Sequence, residues 1–283
     1  MTTAPERRRA ILYLLCAAFL FSTGGLLIKL VQLPALAVAG GRSAIAAIVI
    51  LLFIGRPKFN WSATQIGCAV AYCGTVLFFV IANKMTTAAN AILLQYTAPV
   101  YIALLSSWFL KERSTALDWA TIGLVLIGMC LFLLDGLSAG NWGGNAFALL
   151  SAVCYALLAI LLRKQRDASP FESVLLGNIL TAIIGLPAFW GQVPSTNSVI
   201  GLVLLGVFQL GFAYVLFTKA TRHVTALETT LLTVIEPILN PLWVVLTVGE
   251  RPSLLALIGG VIVLGAVVGR GVVSSRLSER HAT

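Results

Sequence analysis

Hydrophobic positions in this chain fall in ten long runs separated by short polar breaks. Each run reaches the roughly 20 apolar residues that a bilayer-spanning helix needs. The pattern therefore predicts spans near 10–30, 35–55, 63–82, 88–110, 116–134, 145–162, 171–190, 198–218, 224–248 and 252–273. Pro34 and Pro170 open the second and seventh, and Arg56-Pro57-Lys58 and Arg163-Lys164-Gln165-Arg166 close the second and sixth. The first run is too long for a secretory leader, and no cleavage site follows it. Ser22-Thr23-Gly24-Gly25 interrupts that run with small residues, where a neighbouring helix could approach closely.

The runs are duplicated. The stretch Asn90–Leu134 resembles Glu228–Gly269: Pro99 aligns with Pro237, Glu112-Arg113 with Glu250-Arg251, and, with a one-residue slip, Gly123 and Gly128 with Gly260 and Gly265. Weaker matches precede them in order, Ala17 and Lys29 with Ala152 and Lys164, and Pro34 and Gly41 with Pro170 and Gly177. Self-similarity at a fixed period has to be accounted for before any local motif. The polar, glycine-rich break Asp135–Gly144 divides the chain into a first five-span half, 1–138, and a second, 139–273, followed by a polar tail, 274–283.

Charge orients the spans. With the N-terminus in the cytoplasm, Arg7, Arg8, Arg9, Arg56, Lys58, Lys111, Arg113, Arg163, Lys164, Arg166, Lys219, Arg222, Arg270, Arg276 and Arg280 lie inside, and only Lys29, Lys84 and Arg251 lie outside. Cytoplasmic loops carry such an excess, so both termini are expected there, in a cell's inner (cytoplasmic) membrane. Five spans per half then force the halves into opposite orientations. The expected fold is an all-α integral membrane protein of ten helices in two inverted repeats. Inverted halves meeting at the midplane are the usual build of a secondary transporter working by alternating access.

Composition agrees. The chain of 283 residues is 59% hydrophobic and 10% charged, against roughly 25% charged for a soluble domain. Its net charge of +9 sits in the short breaks and not on one face, so nucleic acid is not an expected partner. The expected partners are a small-molecule substrate and the lipid bilayer. Cys16, Cys68, Cys73, Cys130 and Cys154 all lie in apolar runs without a CxxC pair, which supports no disulfide framework, no metal site and no cofactor. No phosphate-binding loop, HExxH or GxSxG occurs, so neither an ATP-driven pump nor an enzyme is expected. A membrane-embedded enzyme or a structural membrane protein remains the alternative from another class.

Two five-helix halves, each with a proline in its fourth helix and a Glu-Arg turn before its fifth, together with Pro34…Arg42, resemble the EamA group of the drug/metabolite transporter superfamily. The resemblance covers nearly the whole chain. It implies an exporter of small metabolites, with helices one, three, four, six, eight and nine around the cavity and five and ten outside. Within the group the chain looks most like the aromatic amino acid exporters of the YddG type. A broad-specificity drug or solute exporter is the alternative.

The candidate site lies in the fourth and ninth spans. Pro99 and Pro237 remove an amide donor and free the carbonyls of Gln95 and Thr233, and Pro241 frees that of Pro237. A freed carbonyl in lipid must face protein or water, so the three prolines mark bends, either lining a cavity or serving packing alone. Thr229, Thr233, Glu236, Asn240, Trp243 and Thr247 recur at spacings of four and three and share one helical face. Thr97, Tyr101 and Trp108 do the same in the fourth span, with Tyr96 beside them. Phe78, Phe79, Tyr155 and Tyr214 can add aromatic wall, as small-molecule sites use. Trp108 and Trp190 sit at span ends, where interfacial aromatics collect.

Two charges lie within spans. Arg42 either meets a substrate carboxylate or is held by a structural pair or a snorkel. Glu236, whose counterpart is Ala98, is costly at that depth if ionised, about 2.5–3.5 kcal/mol. It binds a coupling proton, meets a substrate ammonium group, or serves packing as a neutral acid. The glycine faces at Gly123/Gly128 and Gly259/Gly260/Gly265 suit close packing or a homodimer contact.

Overall fold

The computed structural model describes residues 4–86, 88–110, 115–136, 142–168 and 170–248, and in the last span 254–255, 258–259, 261–263, 265–266, 268–270 and 273. All regular structure among them is helical. Lipid explains this, because backbone polar groups in hydrocarbon must be satisfied within their own segment.

The first span is α1 (Ala4–Ser22) followed by α2 (Gly24–Leu30), and the second is α3 (Ala35–Ile54). The third is α4 (Ala63–Met85), and the fourth is α5 (Ala88–Gln95) plus α6 (Ala98–Phe109). Then come α7 (Ala116–Gly136), α8 (Trp142–Lys164) and α9 (Pro170–Gly185), which ends in a 3-10 turn, Leu186–Phe189. The eighth span runs without a break from α10 (Thr196–Leu204) through a π-helix (Leu205–Phe212) into α11 (Ala213–Ala220). The ninth is α12 (Ala226–Leu232) plus α13 (Ile235–Val248). Hydroxyls cap four starts: Ser62 accepts from the Gln65 amide, Thr115 from that of Asp118, Ser195 from that of Ser198, and Thr225 forms a capping box with Glu228.

Among the described residues six segments are long and apolar enough to cross a membrane: Pro5–Leu30, Ala35–Ile54, Ala63–Met85, Trp142–Lys164, Pro170–Phe189 and Thr196–Ala220. The bends expected at Pro99 and Pro237 are full interruptions of the helix. The fourth span is interrupted at Tyr96-Thr97 and the ninth at Thr233-Val234, each just ahead of its proline. Missing amide donors end the regular ladder there, as the prolines foretold. Pro241 does not act the same way, since α13 is continuous through it. The first span also breaks, at Thr23, beside the glycine pair. Both Glu-Arg turns, the midpoint of the chain and the tail lie outside the described residues.

Helix packing is pairwise reciprocal. The third span lies along the sixth and the eighth along the first; the third touches the seventh and the eighth the second; the fourth touches the sixth and the ninth the first. Exchanging each span for the one five places later converts each of these contacts into another of them. The second and seventh, α3 and α9, meet each other at the centre. There Gly40 and Gly185 bring backbone against backbone: a Cβ on Gly40 would lie 2.6 Å from the Gly185 carbonyl carbon. Gly128 packs on the tenth span, where a Cβ would meet Val263 at 2.6 Å, whereas Gly123 and Gly265 have open space.

Charged side chains gather at the two ends of the helix bundle. On one, Arg270 holds Asp118 at 2.8 Å and approaches Glu228 at 3.6 Å, while Arg7 reaches Glu228 at 2.7 Å. These contacts join the first, fifth, ninth and tenth spans. On the other, the Lys29 ammonium donates to the Thr86 carbonyl and Lys84 to that of Val31.

Candidate functional site

The irregular segments converge on one cavity in the middle of the bundle. It is lined by Phe21, Arg42, Thr75, Val76, Phe79, Gln95, Tyr155, Gln209, Leu210, Tyr214 and Glu236. The first, second, third, fourth, sixth, eighth and ninth spans contribute. Six of these match the resemblance; the second is added by Arg42. The space open to water inside is about 40 Å³. That holds a few waters and is too small for an amino acid unless side chains move.

Arg42 dominates one wall. It is 2% exposed, so it does not snorkel. One terminal nitrogen donates to Gln209 Oε1 at 3.0 Å and the other reaches the Val76 carbonyl at 3.5 Å. Its Nε has no hydrogen-bond partner, and among the described residues no carboxylate lies within ion-pair distance. The guanidinium thus keeps part of its planar fork of donors available toward the cavity. Gln209 is placed by the π-helix, whose extra backbone residue per turn re-aims side chains and often marks a functional position. A side chain at Gly24 would collide with it, since a Cβ there would lie 2.8 Å from the Gln209 amide nitrogen.

The opposite wall is built on the two broken spans. Tyr96 Oη lies 2.7 Å from the Thr233 carbonyl and 2.7 Å from Glu236 Oε2. Tyr155 Oη is 3.3 Å from Thr233 Oγ1. The carbonyl freed by Pro237 therefore does find a protein partner, contributed by the other half of the chain. Gln95 donates to Ser151 at 2.6 Å, and Ser151 donates to the Thr75 carbonyl at 2.9 Å.

Aromatic rings close the cavity. Tyr214 meets Phe21 edge-on at 5.1 Å, Tyr72 at 4.7 Å and Phe217 at 5.8 Å. Tyr72 is fixed by a 3.0 Å hydrogen bond to Asn178.

Of the residues expected from sequence, Arg42, Phe79, Tyr155, Tyr214 and Glu236 line this cavity, and Tyr96 binds Glu236. Trp243 is not in the wall: its indole N–H donates to Ser22 Oγ at 2.7 Å and its ring meets Phe19 at 5.4 Å, tying the ninth span to the break in the first. Tyr101 is half-buried against the core and also outside the lining. Phe78 stacks on Phe147. The side chains of Asn240 and Pro241 lie outside the described residues. Sequence reasoning missed Gln95, Gln209 and Thr75. Their signal was a lone polar residue in an apolar run, which is costly in lipid unless it has a task.

The sequence profile of the EamA-like transporter family matches residues 8–134 and again 142–270. An uncharacterized transporter of Archaeoglobus fulgidus is 32% identical over 218 residues, 76% of this chain and 77% of that protein. The pseudopaline exporter CntI of Pseudomonas aeruginosa is 27% identical over 274 residues, 92% of this chain and 95% of its own. One solved crystal structure superposes with a TM-score of 0.78 at 21% identity, covering 97% of this chain and 99% of that one; this likeness concerns the fold.

Proposed function

The chain belongs to the EamA-like transporter family, and from that premise we propose that it exports zwitterionic metabolites, amino acids with aromatic or other apolar side chains, by alternating access. It is a multi-pass membrane transporter and not an enzyme. The observation that carries the substrate class is a guanidinium and a carboxyl group facing one cavity without pairing. Arg42 and Glu236 line the same space and form no ion pair. A zwitterion fits between them, its carboxylate on the guanidinium and its ammonium toward Glu236. Phe21, Phe79, Tyr155 and Tyr214 supply the apolar and aromatic contacts for its side chain.

The reciprocal packing supports alternating access. Two halves, 1–138 and 139–273, inserted in opposite orientations would present interchangeable faces to the cavity. The face bearing Arg7, Arg163, Lys219, Arg222 and Arg270 is then cytoplasmic, with both termini on that side of the inner membrane.

Counterflow tests the substrate class. Purified protein in liposomes loaded with unlabelled L-phenylalanine is expected to draw in labelled L-phenylalanine transiently, and to do so with tyrosine, tryptophan or leucine inside. Absence of counterflow across a panel of neutral amino acids would reject this reading.

A further inference from the structure

We infer that Glu236 is a proton-binding site and that this carrier exchanges one proton for one solute molecule; the inference rests on the exporter reading above. It begins from a count of protons. Tyr96 Oη stands 2.7 Å from each of two oxygens, the Thr233 carbonyl and Glu236 Oε2. Both distances are those of well-formed O–H···O bonds. A phenol carries a single proton and a carbonyl carries none. With Glu236 ionised, one of the two close contacts would be oxygen against oxygen with nothing between them. A proton on Glu236 completes both: the carboxyl donates to Tyr96, and Tyr96 donates to Thr233. The arrangement holds one proton more than an ionised acid would supply.

The surroundings make this proton exchangeable. Glu236 is 8% exposed, and that exposure opens onto the water-sized space of the cavity. Tyr96 from the break between α5 and α6, Tyr155 from α8, Tyr214 from α11 and Arg42 from α3 are the titratable groups around it. The charged and titratable groups of the elements packed on α13 are held or placed elsewhere. On α1, Glu6, Arg8 and Arg9 lie in its first two turns, Arg7 is paired with Glu228, Tyr13 lies under the Lys219 ammonium and Cys16 is exposed. On α2, Lys29 is bound to the Thr86 carbonyl at the far face. Among the described residues no fixed cation is paired with Glu236, which leaves a proton or a solute cation to neutralise it.

Competition for one carboxylate then couples the two fluxes. An entering solute ammonium takes the place of the proton: the neutral carboxyl gives up H⁺ to the water on the side of entry, and a carboxylate–ammonium contact forms. After the cavity opens to the other side, the solute leaves and the carboxylate takes H⁺ from that side. Export of one zwitterion thereby admits one proton, and an inward proton gradient drives it. The other half has Ala98 at the equivalent position, so there is a single such site per chain.

Two measurements decide this. In proteoliposomes clamped at zero potential, with L-phenylalanine as probe, one-to-one exchange sets the steady-state solute ratio at about tenfold per unit of pH difference. Glu236→Gln keeps the size and a hydrogen-bond donor toward Tyr96. Its counterflow should weaken through loss of the ammonium contact, and the transport that remains should hold the ratio near one at any pH difference. Glu236→Asp, which restores an acid, should recover the dependence and guards against a folding defect in the Gln variant. A wild-type ratio insensitive to pH alongside working counterflow would overturn the coupling and leave the exporter reading standing. Infrared difference spectroscopy on pH change supplies an arm that needs no solute: the carbonyl stretch of a protonated carboxyl group should be present in wild type and absent in Glu236→Gln. Identical spectra would overturn the proton site. Should L-phenylalanine not be carried at all, the amino-acid reading fails separately, and the spectra still decide the proton site.

Discussion

Arg42→Met is expected to abolish solute transport while leaving the protein folded and no less stable than wild type. The two halves of this result follow from one observation. Arg42 is buried with hydrogen bonds only to a side-chain amide and a backbone carbonyl, and with no carboxylate partner among the described residues. A central arginine costs about 2.5–3.5 kcal/mol on insertion scales. Neutral acceptors offset that cost less fully than an ion pair would. Methionine fills similar volume and avoids the cost, so the thermal midpoint should hold or rise. Transport has the opposite expectation. Charge-assisted hydrogen bonds contribute about 1.5–3 kcal/mol each. Losing two of them from a bidentate carboxylate contact is worth a hundredfold or more in affinity. Arg42→Lys should fall between, since an ammonium keeps the charge without the planar fork. Counterflow kinetics and a melting curve on the same preparations read both effects; wild-type kinetics in Arg42→Met would remove Arg42 from the site.

Gly40→Val and Gly185→Val should each prevent recovery of folded protein. These glycines lie in α3 and α9, where the halves meet at the centre of the bundle. A Cβ on Gly40 would stand 2.6 Å from the Gly185 carbonyl carbon and 2.7 Å from its Cα, and a Cβ on Gly185 would strike the Leu36 carbonyl oxygen. The obstacle is backbone in both cases, so no rotamer change relieves it. Inserting bulk into a packed core costs about 1–3 kcal/mol even where neighbours can shift. Here the two helices must separate, and every contact along α3 and α9 is weakened with them. Gly123→Val is the matched control, because nothing lies within 4 Å of its Cβ position. Fluorescence-detected size exclusion should show a monodisperse peak for Gly123→Val and aggregate for the other two. Normal peaks for Gly40→Val and Gly185→Val would mean that the halves do not meet there.

Six spans were legible as apolar runs, because lipid leaves few alternatives to a helix at that length. Both proline bends were legible for the same reason, since the freed Thr233 carbonyl had to find a donor, and Tyr96 provides it. The break at Thr23 was legible only as the small-residue interruption of an apolar run, and the π-helix at Leu205–Phe212 was not legible at all. That π-helix contains no proline, and its Gln209 accepts from Arg42 and packs against Gly24. Trp243 shows the limit of periodicity. It shares a helical face with Glu236 in sequence, yet the ninth span leans on the first in that region, so its indole bonds Ser22 and not the cavity. Gln95 and Gln209 were visible as isolated polar residues, but only three-dimensional packing distinguishes a polar wall from a polar strut.

The central claim is that one mid-membrane cavity is reached from each side in turn. Thr75 lies in its wall, 4% exposed, and cysteine nearly matches threonine in size. On a cysteine-free background that retains counterflow, Thr75→Cys in sealed, uniformly oriented proteoliposomes should react with an impermeant thiol reagent whether it is added outside or trapped inside. Saturating solute should protect it from both sides. Reaction from one side alone, under all solute and pH conditions, would contradict alternating access.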